Sequence, residues 1–354
     1  MVINLARVGR EGTGLWQYTL KFIKAMSNLQ KVNGIICAKS QERFFISLGV
    51  PMIIVPDMVS NTSKISRVRP ILWLLYTPYL ALRVYMKFGL CKVVSTTHHN
   101  IPFLRRQIIT IHDLRPYTYP DSFLQRIYFR YILPILVKRC HHILTVSNTV
   151  KKQISLSYNV SEESISVIYN SIELADFKPA SKKGDYLLAV GTSWPHKNIH
   201  SLLAVSEVWC EKYSLIIVCG RTNYAAHLRE LVEQLSLNEK VVILHDANFK
   251  NLCSLYTHAS ALIYPSLDEG FGIPPIEAMA SHTPVIVSNI PVFHEVLGDS
   301  AIYVNPNDKN SWISAFESLQ EPKSWIDKGI VKASYYDSHL MTKMVSNWLE
   351  KMEK

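Results

Sequence analysis

Six cysteines in 354 residues, none of them in a CxxC pair, leave no framework for disulfides or a structural zinc. Most sit beside apolar residues, as small buried hydrophobes do. Charged residues make up only 19% against 48% hydrophobic, which excludes extensive disorder. No apolar run reaches the roughly 20 residues a bilayer span requires. The greasiest, 70–82, is broken by Pro78 and bounded by Arg69 and Arg83, so no transmembrane helix is expected. The opening MVINLARVG lacks the basic start, long apolar stretch and cleavage site of a secretion leader, which predicts a cytoplasmic location. There is no HExxH, no aromatic RNA-binding strand and no finger or helix-turn-helix pattern, so neither a metal site nor nucleic acid is expected.

What is present is a net charge of +10, which favours anionic partners. The length suits two domains. Short apolar runs at 2–6, 34–38, 52–55, 93–96, 107–111, 142–146 and 166–169 read as buried parallel strands. A second series follows at 186–191, 215–219, 241–244, 261–264 and 284–288. Helical spacing predicts helices over 15–29, 123–140 with a kink at Pro134, 199–212, 251–257 and 275–280. The proline-containing stretch 175–184 is the best linker. The expected fold class is α/β, two Rossmann-like domains, 1–175 and 176–334, facing across a cleft, with residues 335–354 crossing back to the first.

The most informative segment is PSLDEGFGIPPIEAMASHTP, residues 265–284. A strand before it and a helix after it place Glu269 in a loop at the carboxyl edge of a sheet, and Glu277 in the first turns of the helix. Gly270 and Gly272 let backbone amides approach a ligand, and the helix start favours anionic oxygens. A carboxylate accepts two hydrogen bonds from a sugar or ribose diol. EGFGIPPIEAMA resembles the signature of two glutamates separated by seven residues in the large retaining glycosyltransferase family of GT-B fold, which includes bacterial mannosyl-, glucosyl- and galactosyltransferases. The resemblance implies that Glu269 engages hydroxyls of the transferred sugar and Glu277 the nucleotide ribose. The amides of Gly270, Phe271 and Gly272 would approach the donor sugar and phosphate.

The likeness extends to GTSWPHKNIHSLL, which begins at Gly191 and resembles the family's phosphate loop. Lys197 fits the diphosphate-binding lysine, whereas His196 stands where arginine is common, and neutral imidazole has one donor against arginine's five. Arg221, after Gly220, is a candidate to supply some of the missing charge, or a surface arginine. Asn198 suits either a helix cap or a ligand contact. Glu295, in SNIPVFHEVLGDSA with Asn289 and Pro291, reads as structural.

Toward the N-terminus, Gly12 and Gly14 form only part of a dinucleotide fingerprint. In the resembling enzymes this turn contributes amides near the donor phosphates. ITIHDLRPYTYP places His112 directly after a strand, and its resemblance to the family's TIHDL pattern implies contact with the transferred sugar. Asp113 is expected to orient it or to hold the loop. His98, His99 and Asp113 are the candidates for the acceptor cleft, with a loop-surface role as the alternative for the two histidines. Aromatic and basic residues in 69–88 read either as an inter-helix surface, slightly favoured on sequence, or as a membrane-facing patch.

The resemblance thus implies a retaining glycosyltransferase, with His112, Glu269 and Lys197 as the catalytic set and no metal or other cofactor. Its best-matching partners are a nucleotide sugar, with GDP-mannose first and UDP-sugars as the alternative, and a lipid-linked glycan of bacterial O-antigen or surface-polysaccharide synthesis. The location is cytoplasmic, open to peripheral contact with the inner face of the membrane, and no protein partner is required. Paired carboxylates also occur in glycoside hydrolases, but a Lys197 phosphate loop has no purpose there. A non-catalytic nucleotide or polyanion binder would show salt-sensitive retention without turnover.

Overall fold

The structure is a computed structural model describing residues 1–9, 11–60, 69–120, 122–245 and 247–353. The side chains of Arg69 and Pro70 lie outside the described residues. The chain divides into two compact units, Met1–Ser171 with His339–Lys354, and Ile172–Ser338.

The first unit holds β1 (Val2–Asn4), β2 (Gly34–Ala38), β3 (Met52–Val55), β4 (Val93–Ser95), β5 (Gln107–Ile111), β6 (His142–Thr145) and β7 (Ile165–Val167), ordered 3-2-1-4-5-6-7. Every pairing is parallel. Its helices are α1 (Gly14–Asn28), α2 (Arg69–Phe88), α3 (Arg115–Thr118), α4 (Phe123–Ile127), α5 (Leu133–Arg139) and α6 (Asn148–Tyr158). The strands read as unbroken apolar runs because helices cover parallel sheets on both faces. Val2 pairs with Val93, Ser95 with Ile109 and Ile109 with Ile143. Trp73, Leu80 and Val84 of α2 pack with Val2 and Val93, while Leu133 and Val137 of α5 pack with Ile109 and Ile143. Since in-register partners share a face, α2 and α5 cover the same side of the sheet.

The second unit holds β8 (Tyr186–Val190), β9 (Ser214–Cys219), β10 (Val241–His245), β11 (Ala261–Tyr264), β12 (Val285–Ser288) and β13 (Ile302–Val304), parallel in the order 10-9-8-11-12-13. Its helices are α7 (Ile199–Leu203), α8 (Asn223–Gln234), α9 (Phe249–His258), α10 (Ile273–Ala280), α11 (Pro291–Leu297), α12 (Lys309–Ser318) and α13 (Pro322–Tyr335). Trp209 and Trp312, each at most 1% exposed, anchor its core. The last helix, α14 (Ser338–Glu353), packs on the first unit: Trp348 meets Phe22 at 6.3 Å, and Lys92 Nζ donates to the Met352 carbonyl at 2.9 Å. Strand order reverses between β1 and β4 and again between β8 and β11, which opens a crevice at the carboxyl edge of each sheet.

Three expectations are corrected. The helix expected over 199–212 stops at Leu203, because Trp209 Nε1 takes the Leu202 carbonyl at 3.0 Å and the chain bends to bury the indole. The segment 123–140 is helical without a break from Phe123 to Arg139, as expected, but its irregular turn lies just before Pro134. It widens into a π turn at Tyr128–Ile132, and Pro134, which has no backbone N–H to give to the preceding turn, follows directly after that widened turn. The last helix does not begin at Tyr335: α13 ends there, and Asp337 bridges to Ile172 before α14 starts.

Candidate active site

The carboxyl edge of the second sheet gathers three loops. After β8 the chain turns at Gly191, whose φ of +71° suits glycine, then passes through a 3-10 turn at Pro195–Lys197 into α7. Gly191 N donates to the Val218 carbonyl at 3.0 Å, and Gly220 N donates to Ser193 Oγ at 2.9 Å, tying this loop to the one after β9. Leu267 N donates to the His196 carbonyl at 2.8 Å, tying it to the one after β11. His196, 9% exposed, thus anchors the site through its backbone. Arg221 lies exposed just beyond β9.

This bracing brings Lys197 and Glu269 together. Lys197 Nζ pairs with Glu269 Oε1 and donates to the Tyr264 hydroxyl at 2.8 Å, while Ser266 Oγ donates to the same Glu269 oxygen at 2.7 Å. Both side chains of the pair are 13% exposed. Burial works against each charge, yet each ion outweighs that penalty for the other. Burial followed by the Glu269 charge leaves the Lys197 ammonium above its ordinary range, and burial followed by Lys197 leaves the Glu269 carboxyl below its own. Of three ammonium donors, Tyr264 and Glu269 take two, which leaves one for an incoming anion.

Beyond Glu269, Gly270 and Phe271 are buried and Gly272 adopts φ +91° as the cap of α10. A Cβ on Gly272 would stand 2.7 Å from the Phe293 ring, so only glycine fits. Phe271 packs edge-on against Tyr336 at 5.3 Å. On the second turn of α10, Glu277 is half-buried, and its Oε2 accepts from the Tyr256 hydroxyl of α9 at 2.8 Å. Asn198 does not cap α7. It sits in the left-handed region at φ 57°, 3% exposed, with no capping bond and with Nδ2 lacking a partner among the described residues. Asn289 and Pro291 lie at the start of α11, where Asn289 Oδ1 contacts His294 Nε2 at 2.5 Å; Glu295 lies in the same helix.

In the first unit, Gly12 (φ +80°) and Gly14 frame the exposed turn into α1, which Thr13 caps by accepting from Trp16 N. His112 follows β5, with its ring edge-on to Tyr18 at 4.7 Å and Nε2 2.8 Å from the Thr96 carbonyl. Burial holds its pKa down to about 4 against the Thr96 bond. A carbonyl only accepts, so Nε2 carries the proton and Nδ1 is left as an acceptor. Asp113 Oδ1 accepts from Arg115 N at 3.1 Å and so holds the loop. His98 and His99, after β4, lie 4.1 Å apart, and His98 packs on Phe129 at 5.1 Å. Burial, then Arg7 and His112, lower the His98 pKa to about 3.

Tyr256, Tyr264 and Ser266 escaped the sequence reading. Ser266 and Tyr264 stand beside the glutamate motif and were accessible by proximity, whereas nothing local marks Tyr256 as the partner of Glu277.

Residues 171–324 match the family described as Glycosyl transferases group 1, and residues 65–176 match Glycosyltransferase Family 4. The chain is 54% identical over 349 residues, 99% of each chain, to the O-antigen chain mannosyltransferase RfbU of Salmonella typhimurium. Among solved structures it resembles sucrose-phosphate synthase from Thermosynechococcus elongatus, with a TM-score of 0.80 at 15% identity over 99% of this chain and 98% of that one. It also resembles HepE of Anabaena, solved with UDP-glucose, with a TM-score of 0.76 at 14% identity over 99% of both. These two likenesses give the fold, that of the GT-B proteins with two Rossmann-like domains.

Proposed function

This chain belongs to the group 1 and family 4 glycosyltransferases, and from that premise we propose that it transfers mannose from GDP-mannose, with retention, to a lipid-linked glycan acceptor in O-antigen synthesis. The acceptor places it at the cytoplasmic face of the membrane. The observation that carries this reading is the end-to-end likeness to an O-antigen chain mannosyltransferase.

The site supports it residue by residue. Lys197 directs its remaining ammonium donor to the donor diphosphate, where negative charge develops as the glycosidic bond breaks. Glu269, fixed by Lys197 and Ser266, accepts from hydroxyls of the transferred sugar. Glu277, held by Tyr256, accepts from the ribose diol. Gly191, Gly270, Phe271 and Gly272 bring backbone amides to the phosphates and sugar. In the first unit, Gly12 and Gly14 contribute amides, His112 Nδ1 accepts from a sugar hydroxyl, and His98 and His99 serve the acceptor. Transfer forms a bond from the acceptor oxygen to the anomeric carbon as the bond from that carbon to the phosphate oxygen breaks. The acceptor proton passes to the departing phosphate oxygen, so no protein nucleophile is required.

A panel of GDP- and UDP-sugars, assayed for binding and slow hydrolysis with and without chelator, tests this reading. GDP-mannose is expected to bind selectively and to turn over with chelator present. Selective use of a UDP-sugar would overturn the donor, and strict metal dependence would overturn the metal-free chemistry.

A further inference from the structure

Helix α2 is apolar on two opposite sides. Trp73, Leu80, Ala81 and Val84 enter the core, yet Ile71, Leu74, Leu75, Leu82, Tyr85 and Met86 are 54% to 71% exposed. Their spacing of three, four and seven residues draws one continuous stripe along the outside of the helix. This overturns the inter-helix reading of 69–88 for that stripe. The effect is not confined to one helix. Phe123, Leu124, Tyr131 and Ile135, on and between α4 and α5, are 54% to 73% exposed, and α5 covers the same face of the sheet as α2. The loop after β4 packs on the α2 core through Ile101 and Leu104 and exposes Phe103 at 75%.

The charge of the chain is concentrated around these elements. Residues 58–161 contain fifteen Lys and Arg against two Asp, and the rest holds 23 basic and 26 acidic residues. Between Asp57 and Asp113 there is no acidic residue at all. Lys87 on α2, Arg105 and Arg106 in the loop, and Arg126 and Arg130 beside the second apolar group are exposed. Among the described residues no helix is long and apolar enough to cross a membrane.

We propose that this face of the first unit, formed by α2, the loop 100–106 and α4 to α5, docks on an anionic bilayer with α2 lying in the interfacial plane. This deepens the membrane placement proposed above by naming the surface and the lipid charge. Exposed apolar side chains enter the acyl boundary while neighbouring lysines and arginines meet phosphate headgroups. A second copy of the chain is a poor occupant, because it would bring the same excess of positive charge against itself.

The test is sedimentation of the full chain with vesicles of phosphatidylcholine, alone or with about one third phosphatidylglycerol. The protein is expected to pellet with the anionic vesicles only and to be released by salt. Lys87→Gln with Arg105→Gln should weaken partitioning roughly thirtyfold, and Leu75→Ser with Met86→Ser at least about tenfold, with circular dichroism unchanged. Equal binding to neutral vesicles, no binding, or wild-type binding by folded variants overturns the proposal. So does a wild-type dimer that dissociates on Leu75→Ser with Met86→Ser. Vesicle binding is scored without donor or acceptor, so its failure leaves the transferase reading standing, and loss of GDP-mannose turnover leaves the docking face standing.

Discussion

Replacing Glu269 by glutamine keeps its shape and an oxygen for Ser266 and Lys197 but removes the charge that balances the ammonium. Lys197, 13% exposed, would keep only the Tyr264 hydroxyl and a neutral amide. Stranding one member of a buried pair costs about 3–5 kcal/mol, and the residual exposure here places the expected loss near about 3 kcal/mol. For a unit of this size that is a fall in Tm of roughly 6–12 °C. Removing both charges, as in Glu269→Gln with Lys197→Met, should restore much of the loss, since replacing both partners of such a pair is often neutral. Nucleoside diphosphate supplies the missing negative charge and should raise the Tm of Glu269→Gln more than that of the wild type. The carboxyl is held below its ordinary range, so its contribution is present above the unfolded glutamate pKa and lost as pH falls through the folded value. The ammonium, held above its ordinary range, contributes fully below its unfolded pKa and is lost only above it. The stability gap between wild type and Glu269→Gln should therefore be flat across neutral pH and close in acid. Thermal melts of the four proteins of the cycle measure this directly. A loss under about 1 kcal/mol for the single variant, or losses that simply add in the double, would refute the pairing.

Further outcomes follow from the same geometry. Tyr256→Phe removes the donor that fixes Glu277 Oε2 and should raise the donor KM about fivefold, corresponding to about 1 kcal/mol, with kcat nearly unchanged, in steady-state kinetics. Glu277→Ala should weaken nucleotide binding about thirtyfold by calorimetry, corresponding to about 2 kcal/mol. His112, with its pKa lowered to about 4, contributes stability that is full above pH 6.5 and fades toward pH 4. His112→Asn should flatten that part of the stability profile. Gly272→Ala forces a left-handed alanine against the Phe293 ring and should destabilise by about 1–3 kcal/mol in denaturant titration.

The two parallel sheets were legible because buried strands read as unbroken apolar runs, and the position of Glu269 was legible because it stands between a strand and a helix with Gly270 and Gly272 just after it. Tertiary contacts were not. Tyr256 reaches Glu277 from another helix, and the sequence carries no local mark of that hydrogen bond. The early end of α7 depends on where Trp209 sends its indole N–H, which helical spacing does not encode. Asn198 carries the right side chain for a cap but the wrong backbone, because the 3-10 turn before it delivers a left-handed residue. The aromatic and basic residues of 69–88 were legible, but the exposed stripe of α2 was not, because it depends on which side of the helix meets the sheet.

Retaining transfer of mannose is tested most directly by the anomeric configuration of the product. Purified protein, GDP-mannose and a polyprenyl-diphosphate glycan acceptor should give, by NMR, a new mannosyl linkage with the same α configuration as the donor. A β-linked product would contradict the retaining mechanism. No transfer from GDP-mannose, alongside transfer from a UDP-sugar, would contradict the mannosyltransferase assignment.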